Sequence, residues 1–412
     1  MSPGSLFASR DFRLLLAGQT TSQLGTQVSS VALPLLAVLA LQATAFEVGL
    51  INAASTVAFA LVGLPAGVWL DRMRRRPVLV ASDGLRAVVL ATIPIAAGLG
   101  VLSVAQLVVV SLLTGFGRVF FDVGYRSYLP SVIGRDRVLA GNASLEFVRA
   151  SGQVVGPGLG GALVSVVSAA NVVLIQAVTF AVSALTLLGV RSSEPPAAVD
   201  ASRPRLSAQI RDGLRFVWCH PLLRATAAAS AASNLSFALA SAVTILFMSR
   251  TLGLSPAAIG LILAGGSGAV MVGAALTTRV AKAIGSARLI WLSLAVTSPL
   301  TVLGVLAQPG WGVILLLAGM IAGELGQIVY AITSVSLRQH ICPDHFLGRV
   351  NATMTVLIMG LFPVGALVGG VLGDLVGIRT TLLVASAVLG LAPVVLYFAL
   401  RQVRDIEDVG PG

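Results

Sequence analysis

Twelve stretches of this chain are each long and apolar enough to cross a lipid bilayer, and that feature limits its fold more than any other. A helix spanning the hydrocarbon needs about 20 mainly apolar residues. Such runs fall near 12–40, 46–70, 77–99, 104–127, 142–166 and 170–190, and again near 222–249, 256–280, 287–307, 311–336, 350–373 and 379–400. The runs are continuous rather than alternating, which excludes the wall of a membrane β-barrel. Only 10% of the residues are charged, where a soluble domain carries about 25%. The surface of such a chain faces lipid. The expected architecture is all-α and integral to the membrane: twelve transmembrane helices in two pseudo-symmetric six-helix bundles. Residues 1–190 would form the first bundle and 222–412 the second. The stretch 191–221, with Pro195, Pro196 and Pro204, reads as a cytoplasmic linker with a short amphipathic helix around Leu206 to Trp218.

The net charge of +11 invites comparison with nucleic-acid binders, but the placement of the charges argues against it. Of the 27 basic residues all but Lys282 are arginine, and they sit between the apolar runs without forming one continuous face. Basic residues collect on the cytoplasmic side of a membrane protein. Counted this way, the inner connections hold Arg72, Arg74, Arg75 and Arg76, Arg135 and Arg137, Arg203 to Arg215, Arg279, Lys282 and Arg288, and Arg338, whereas the outer ones hold only Arg250 and Arg379. Both termini are therefore expected in the cytoplasm. Arg10, Asp11 and Arg13 precede a first run too long for a cleavable signal. Cys219 and Cys342 are isolated, and His220, His340 and His345 lack zinc-site spacing, so neither a disulfide, a metal nor a cofactor is expected.

The halves echo each other. Asn142 and Asn351, Gly156 and Gly365, and Gly160-Gly161 and Gly369-Gly370 are each 209 residues apart, and Gly49 and Gly260 are 211 apart. Several pairs at nearly one offset point to duplication. Repeats of this kind around a central site are a recurring transporter plan.

Gly67, Asp71, Arg72, Arg75 and Arg76 close the second run at GxxxDRxxRR spacing. In this the chain resembles the major facilitator superfamily, although Arg74 stands where that pattern usually has glycine. Physically, Gly67 admits a neighbouring helix, and Asp71 with its arginines forms a latch between helix ends. In the second half Lys282 replaces Asp71, so the latch is degenerate there. On the fifth run, Gly152, Gly156, Pro157, Gly160 and Gly161 fill every fixed position of a GxxxGPxxGG pattern. This resembles the drug/proton antiporter branch. Glycines give a smooth face for close packing and Pro157 bends the helix. Two further stretches, Phe121-Asp122 to Leu129-Pro130 and Leu347 to Ala352, resemble bacterial exporters of the macrolide/siderophore group.

Charges at bilayer depth are costly and mark function by default. Arg118 falls near the middle of the fourth run and Glu324 near the middle of the tenth, with Gln327 one turn on. The resemblance implies that runs one, four, seven and ten line a central cavity, where Arg118 and Glu324 face each other, paired or bridged by water. Gln19, Gln23 and Gln27, spaced by four on the first run, present one face to that cavity, and Asn234 joins from the seventh. Glu324 is the candidate for the coupling proton or a cationic substrate, with Arg118 modulating it. Asp83 with Arg86 and Glu146 with Arg149, each at i,i+3, are expected to pair structurally, and Asp122 to join the latch with Arg72.

The reading that follows is a secondary active transporter, a monomer in the cell membrane, exporting small amphipathic molecules such as drugs, macrolides, siderophores or secondary metabolites against protons. A proton-coupled importer is the alternative, and a membrane-embedded transferase is less favoured. The chain lacks a GxxxxGK[ST] loop, a DDxxD run and any histidine within an apolar run, which argues against ATP-driven transport and against the transferase.

Overall fold

A helix in lipid satisfies its own backbone hydrogen bonds, which an irregular segment in hydrocarbon cannot do. The structure, a computed structural model, describes residues 7–192 and 206–409, and of residues 64, 67, 68, 71, 135, 206–210, 344 and 345 only the backbone. Its main helices are α1 (Arg10–Leu35), α2 (Ala45–Asp71), α3 (Arg75–Gly98), α4 (Val104–Ile133), α5 (Val138–Val167), α6 (Ala169–Gly189), α7 (Leu206–Cys219), α8 (Pro221–Leu246), α9 (Pro256–Ile284), α10 (Ser286–Val305), α11 (Val313–Ile341), α12 (Asp344–Leu375) and α13 (Ile378–Leu400). All but α7 are long and apolar enough to cross a bilayer, and no strand occurs among the described residues. Arg203 and Arg205 lie outside the described residues, and so does the side chain of Asp71.

Local chemistry sets the helix ends. The Ser9 and Ser103 hydroxyls accept hydrogen bonds from the Phe12 and Gln106 amides and cap α1 and α4. Pro221 opens α8, where a missing N–H costs nothing. The tight connection between α9 and α10 turns on Gly285 at φ +100°, a conformation that suits glycine.

By compactness the chain divides into two units, but not by a single cut at the linker. Unit 1 holds residues 1–43, 54–201 and 255–264, and unit 2 holds 44–53, 202–254 and 265–412. The first turns of α2 thus belong to unit 2, and those of α9 to unit 1. In unit 1, α1 packs on α5 and α6, and α3 on α4 and α6. In unit 2, α8 packs on α12 and α13, and α10 on α11 and α13. These are the same pairings, shifted by one repeat. The repeat extends to fine detail: α1 and α8 each end in a π-type turn, Leu36–Ala40 and Phe247–Thr251, again 211 residues apart.

The amphipathic helix α7 docks on unit 2. Val217 is buried in that unit's core, Phe216 stacks on Phe346 at 5.2 Å between centroids, and Asp212 reaches Arg349 at 3.7 Å. Large apolar side chains lie bare elsewhere, among them Val88, Ile95, Leu185, Val296 and Leu391. In water such faces drive association. Against hydrocarbon they cost nothing, which fits a multi-pass membrane protein.

Candidate functional site

In unit 1 the polar groups fall into a buried set and an exposed set. Asp83 and Arg86, one turn apart on α3, form a buried ion pair. The Arg86 guanidinium lies between the rings of Phe121 (4.8 Å) on α4 and Phe180 (4.1 Å) on α6. Gly117 makes room for it, since a Cβ there would stand 2.8 Å from Arg86 Cγ. Arg118 and Asp122, on the next turn of α4, pair at 3.5 Å and remain largely exposed. Glu146 and Arg149 on α5 also pair, on an exposed face, with Arg149 Nε donating to both carboxylate oxygens at 3.1 and 3.0 Å.

Arg118 pairs with Asp122, an i,i+4 carboxylate on its own helix and so always within reach. Asp122, expected in a latch with Arg72, is thus paired with Arg118, and Arg72 is exposed. Within the GxxxDRxxRR segment, Arg76 closes another helix. Its Nε donates to the Leu187 carbonyl at 2.9 Å, and Nη2 bonds the Leu188 carbonyl. It thereby reaches two of the last carbonyls of α6, of which that of Leu187 also accepts the Val190 amide at 3.3 Å.

The glycine motif on α5 serves two faces. Gly152, Gly156 and Gly160 pack on α1 over Gln27 and Val28. A Cβ on Gly156 would lie 3.2 Å from Gln27 Cα, and one on Gly160 3.0 Å from the Val28 carbonyl carbon. Gln27 is thus largely taken up in packing. Gln19 is buried, and its Oε1 lacks a partner among the described residues; Gln23 is half-buried. Gly161 instead faces the start of α9, where its Cβ would meet Gly260 Cα at 2.8 Å. Helix α12 repeats this in unit 2, with Gly49 at the start of α2 lying against Gly370: a Cβ on Gly49 would stand 3.2 Å from Gly370 Cα.

Each of these approaches is locked by a cap. Ser165 Oγ on α5 accepts the Ala257 amide at 3.1 Å at the start of α9. Asp374 on α12 accepts the Ala45 and Phe46 amides at 2.9 and 3.0 Å at the start of α2. Asn52 Nδ2 adds a bond to the Ser241 carbonyl on α8 at 3.1 Å. Ser165 and Asp374 are 209 residues apart, the offset of the glycine pairs, so the repeat itself is the signal that marks them. A carboxylate on two helix-end amides is the stronger cap. Asp374→Ala is expected to loosen the first turn of α2 by about 1–2 kcal/mol. Hydrogen–deuterium exchange should show faster amides at 45–48, and Ser165→Ala a smaller change at 257–260.

In unit 2, Glu324 lies on α11, half-buried, its Cγ 3.6 Å from where a Cβ on Gly266 of α9 would be. Among the described residues it makes no hydrogen bond or ion pair. Gln327, one turn on, has a buried Oε1 that also lacks a partner among them. Asn234 Nδ2 is turned back onto the Ser230 carbonyl of its own helix at 3.1 Å. The Ser230 hydroxyl meets Tyr330 Oη at 2.7 Å, and Tyr330 donates to the Thr226 carbonyl at 2.9 Å, binding α8 to α11. No cluster of three or more histidine, cysteine or acidic side chains able to hold a metal occurs among the described residues.

The family description that matches residues 1–410 is that of a transmembrane secretion effector within the major facilitator superfamily. The chain is 28% identical over 406 residues to a multidrug efflux pump, Tap, of Mycolicibacterium fortuitum, covering 96% of each chain. It is 28% identical over 393 residues to the pump of that name in Mycobacterium tuberculosis, covering 90% of this chain and 88% of the other. Among solved structures, a bacterial homologue of the iron transporter ferroportin, in an inward-facing state, shares the fold with a TM-score of 0.78 at 17% identity, covering 94% of this chain and 98% of that one. A bacterial homologue of the human lysosomal transporter Spinster follows at 0.72 and 13%, covering 95% and 97%. Helix count, internal repeat and matched length agree, and the chain belongs to the transmembrane secretion effector family of the major facilitator superfamily, a multi-pass membrane transporter.

Proposed function

We propose that this transporter is a monomeric exporter of small amphipathic molecules, drugs among them, working in the cell membrane with both termini in the cytoplasm and driven by protons. The carrying observation is Glu324: a half-buried carboxyl in the middle of a membrane span, without a counter-ion among the described residues. Burial favours the neutral form of a carboxyl, and contact with a cation favours the ionised form. One carboxyl can therefore hold either a proton or a cationic substrate, and the two exclude each other. In this scheme Glu324 releases its proton to the cytoplasm, binds substrate there, and gives it up outside when a new proton arrives. The exchange balances at one proton for one positive charge. Export of drugs is supported by the names of the efflux pumps that match the chain over 90% or more of its length. The inward placement of the termini is supported by the arginine-rich connections.

Everted membrane vesicles with an inward-acidic proton gradient provide the test. Labelled cationic drug should accumulate in vesicles that carry the protein, and a protonophore should release it. Accumulation only in right-side-out vesicles would make the chain an importer, and accumulation unaffected by the protonophore would remove the proton from the scheme.

A further inference from the structure

Unit 2 carries an apolar recess away from Glu324, on a face where two spans run side by side. It lies between α10 and α13, has a volume of about 790 Å³, and is lined by Trp291, Pro299 and Val302 on one side and Leu383, Gly390 and Phe398 on the other. That volume falls within the roughly 300–1,000 Å³ of small-molecule sites. Its length is informative. Trp291 to Val302 is a climb of about 16 Å along a helix, which is roughly half the hydrocarbon thickness, the depth of one leaflet.

The two ends differ in chemistry. At the end of the basic connections, Arg401 holds its guanidinium 5.9 Å over the ring of Phe398. Arg288 is exposed one turn before Trp291, on the same side of α10. Trp291 stands edge-on to Tyr397 at 5.1 Å, and its indole N–H is buried with no partner among the described residues. Arg404 is engaged by Asp405 at 3.7 Å. The Asp405 carboxylate also caps α10, accepting the Ser286 amide at 2.9 Å, and the tail then reaches α11, where the Val409 carbonyl meets His340 Nε2 at 3.0 Å. The basic end of the recess thus has two arginines beside it, and its interior is apolar wall broken by the hydroxyl-bearing Ser298 and Ser386.

We propose that this recess is a binding site for one anionic phospholipid of the surrounding bilayer. One acyl chain lies between α10 and α13, and the phosphate sits between Arg288 and Arg401. Neither arginine takes part in the proton exchange proposed above, so this site stands or falls independently of it.

The test is native mass spectrometry of the full chain in detergent, titrated with phosphatidylglycerol and with phosphatidylcholine of identical acyl chains. Wild type is expected to retain one phosphatidylglycerol, and Arg288→Ala/Arg401→Ala to lose about 30-fold in that affinity, the worth of two surface arginines against an anionic lipid. Gly390→Leu fills the recess from a position where an added Cβ meets nothing within 4 Å, so the fold tolerates it, and the retained lipid should be lost. Equal retention of both lipids by wild type would overturn the proposal. So would a bound phosphatidylglycerol indifferent to Gly390→Leu, or a dimer whose population falls with Gly390→Leu, since a second copy would then be the occupant.

Discussion

Glu324→Gln is expected to abolish gradient-driven drug accumulation, bringing everted vesicles down to the level of vesicles without the protein. Glutamine keeps the shape and the hydrogen-bonding reach of the side chain but removes its charge change. No partner among the described residues depends on the ionised form, so the fold should be indifferent: expression, detergent extraction and thermal midpoint are expected to match wild type. Substrate-dependent proton release from proteoliposomes is the decisive readout, because it separates loss of coupling from loss of binding. Glu324→Asp should restore part of the flux, as the carboxyl returns on a shorter stem. Undiminished coupled transport by the glutamine variant would move the proton to another acid, with Asp122 the first to examine.

Arg86→Leu is expected to produce the largest loss of stability of any single substitution in unit 1. It strands the Asp83 carboxylate in a fully buried position between α3, α4 and α6. Breaking a buried pair by removing one partner costs about 3–5 kcal/mol, much more than replacing both partners by apolar groups. The guanidinium also loses its contacts with two aromatic rings. Asp83→Asn combined with Arg86→Leu should therefore recover much of the loss, and a double-mutant cycle on thermal unfolding in detergent gives the coupling directly. A double variant no more stable than Arg86→Leu alone would show that the aromatic contacts, and not the charge pair, hold this core.

What can be read in the sequence follows the range of the interactions concerned. The pairing of Asp83 with Arg86 and of Glu146 with Arg149 follows from helical periodicity, which puts residues three or four apart on one face whatever surrounds them. The same rule applied to Arg118 and Asp122 gives the pair that the structure holds, whereas the expectation that Arg118 faces Glu324 comes from the resemblance and not from spacing. The glycine pairs at one offset mark the places where helices approach closely, and the structure puts Gly161 on Gly260 and Gly49 on Gly370. The matching caps from Ser165 and Asp374 share that offset but not a residue type, so no identity search could pair them.

The sequence by itself determined that lipid is the solvent, that helices number twelve across the membrane, that the chain is doubled, and that a short amphipathic helix lies in the linker. Each of these rests on composition or on spacing within about 20 residues, where hydrocarbon thickness and the helical repeat leave one answer. The tertiary structure alone decided the allotment of helix ends, placing residues 44–53 with unit 2 and 255–264 with unit 1. It also decided that Arg76 closes α6 and that Glu324 is left without a counter-ion among the described residues. Those outcomes depend on which surfaces meet between segments distant in sequence, and that is set by side-chain shape and close approach, quantities that no local pattern encodes.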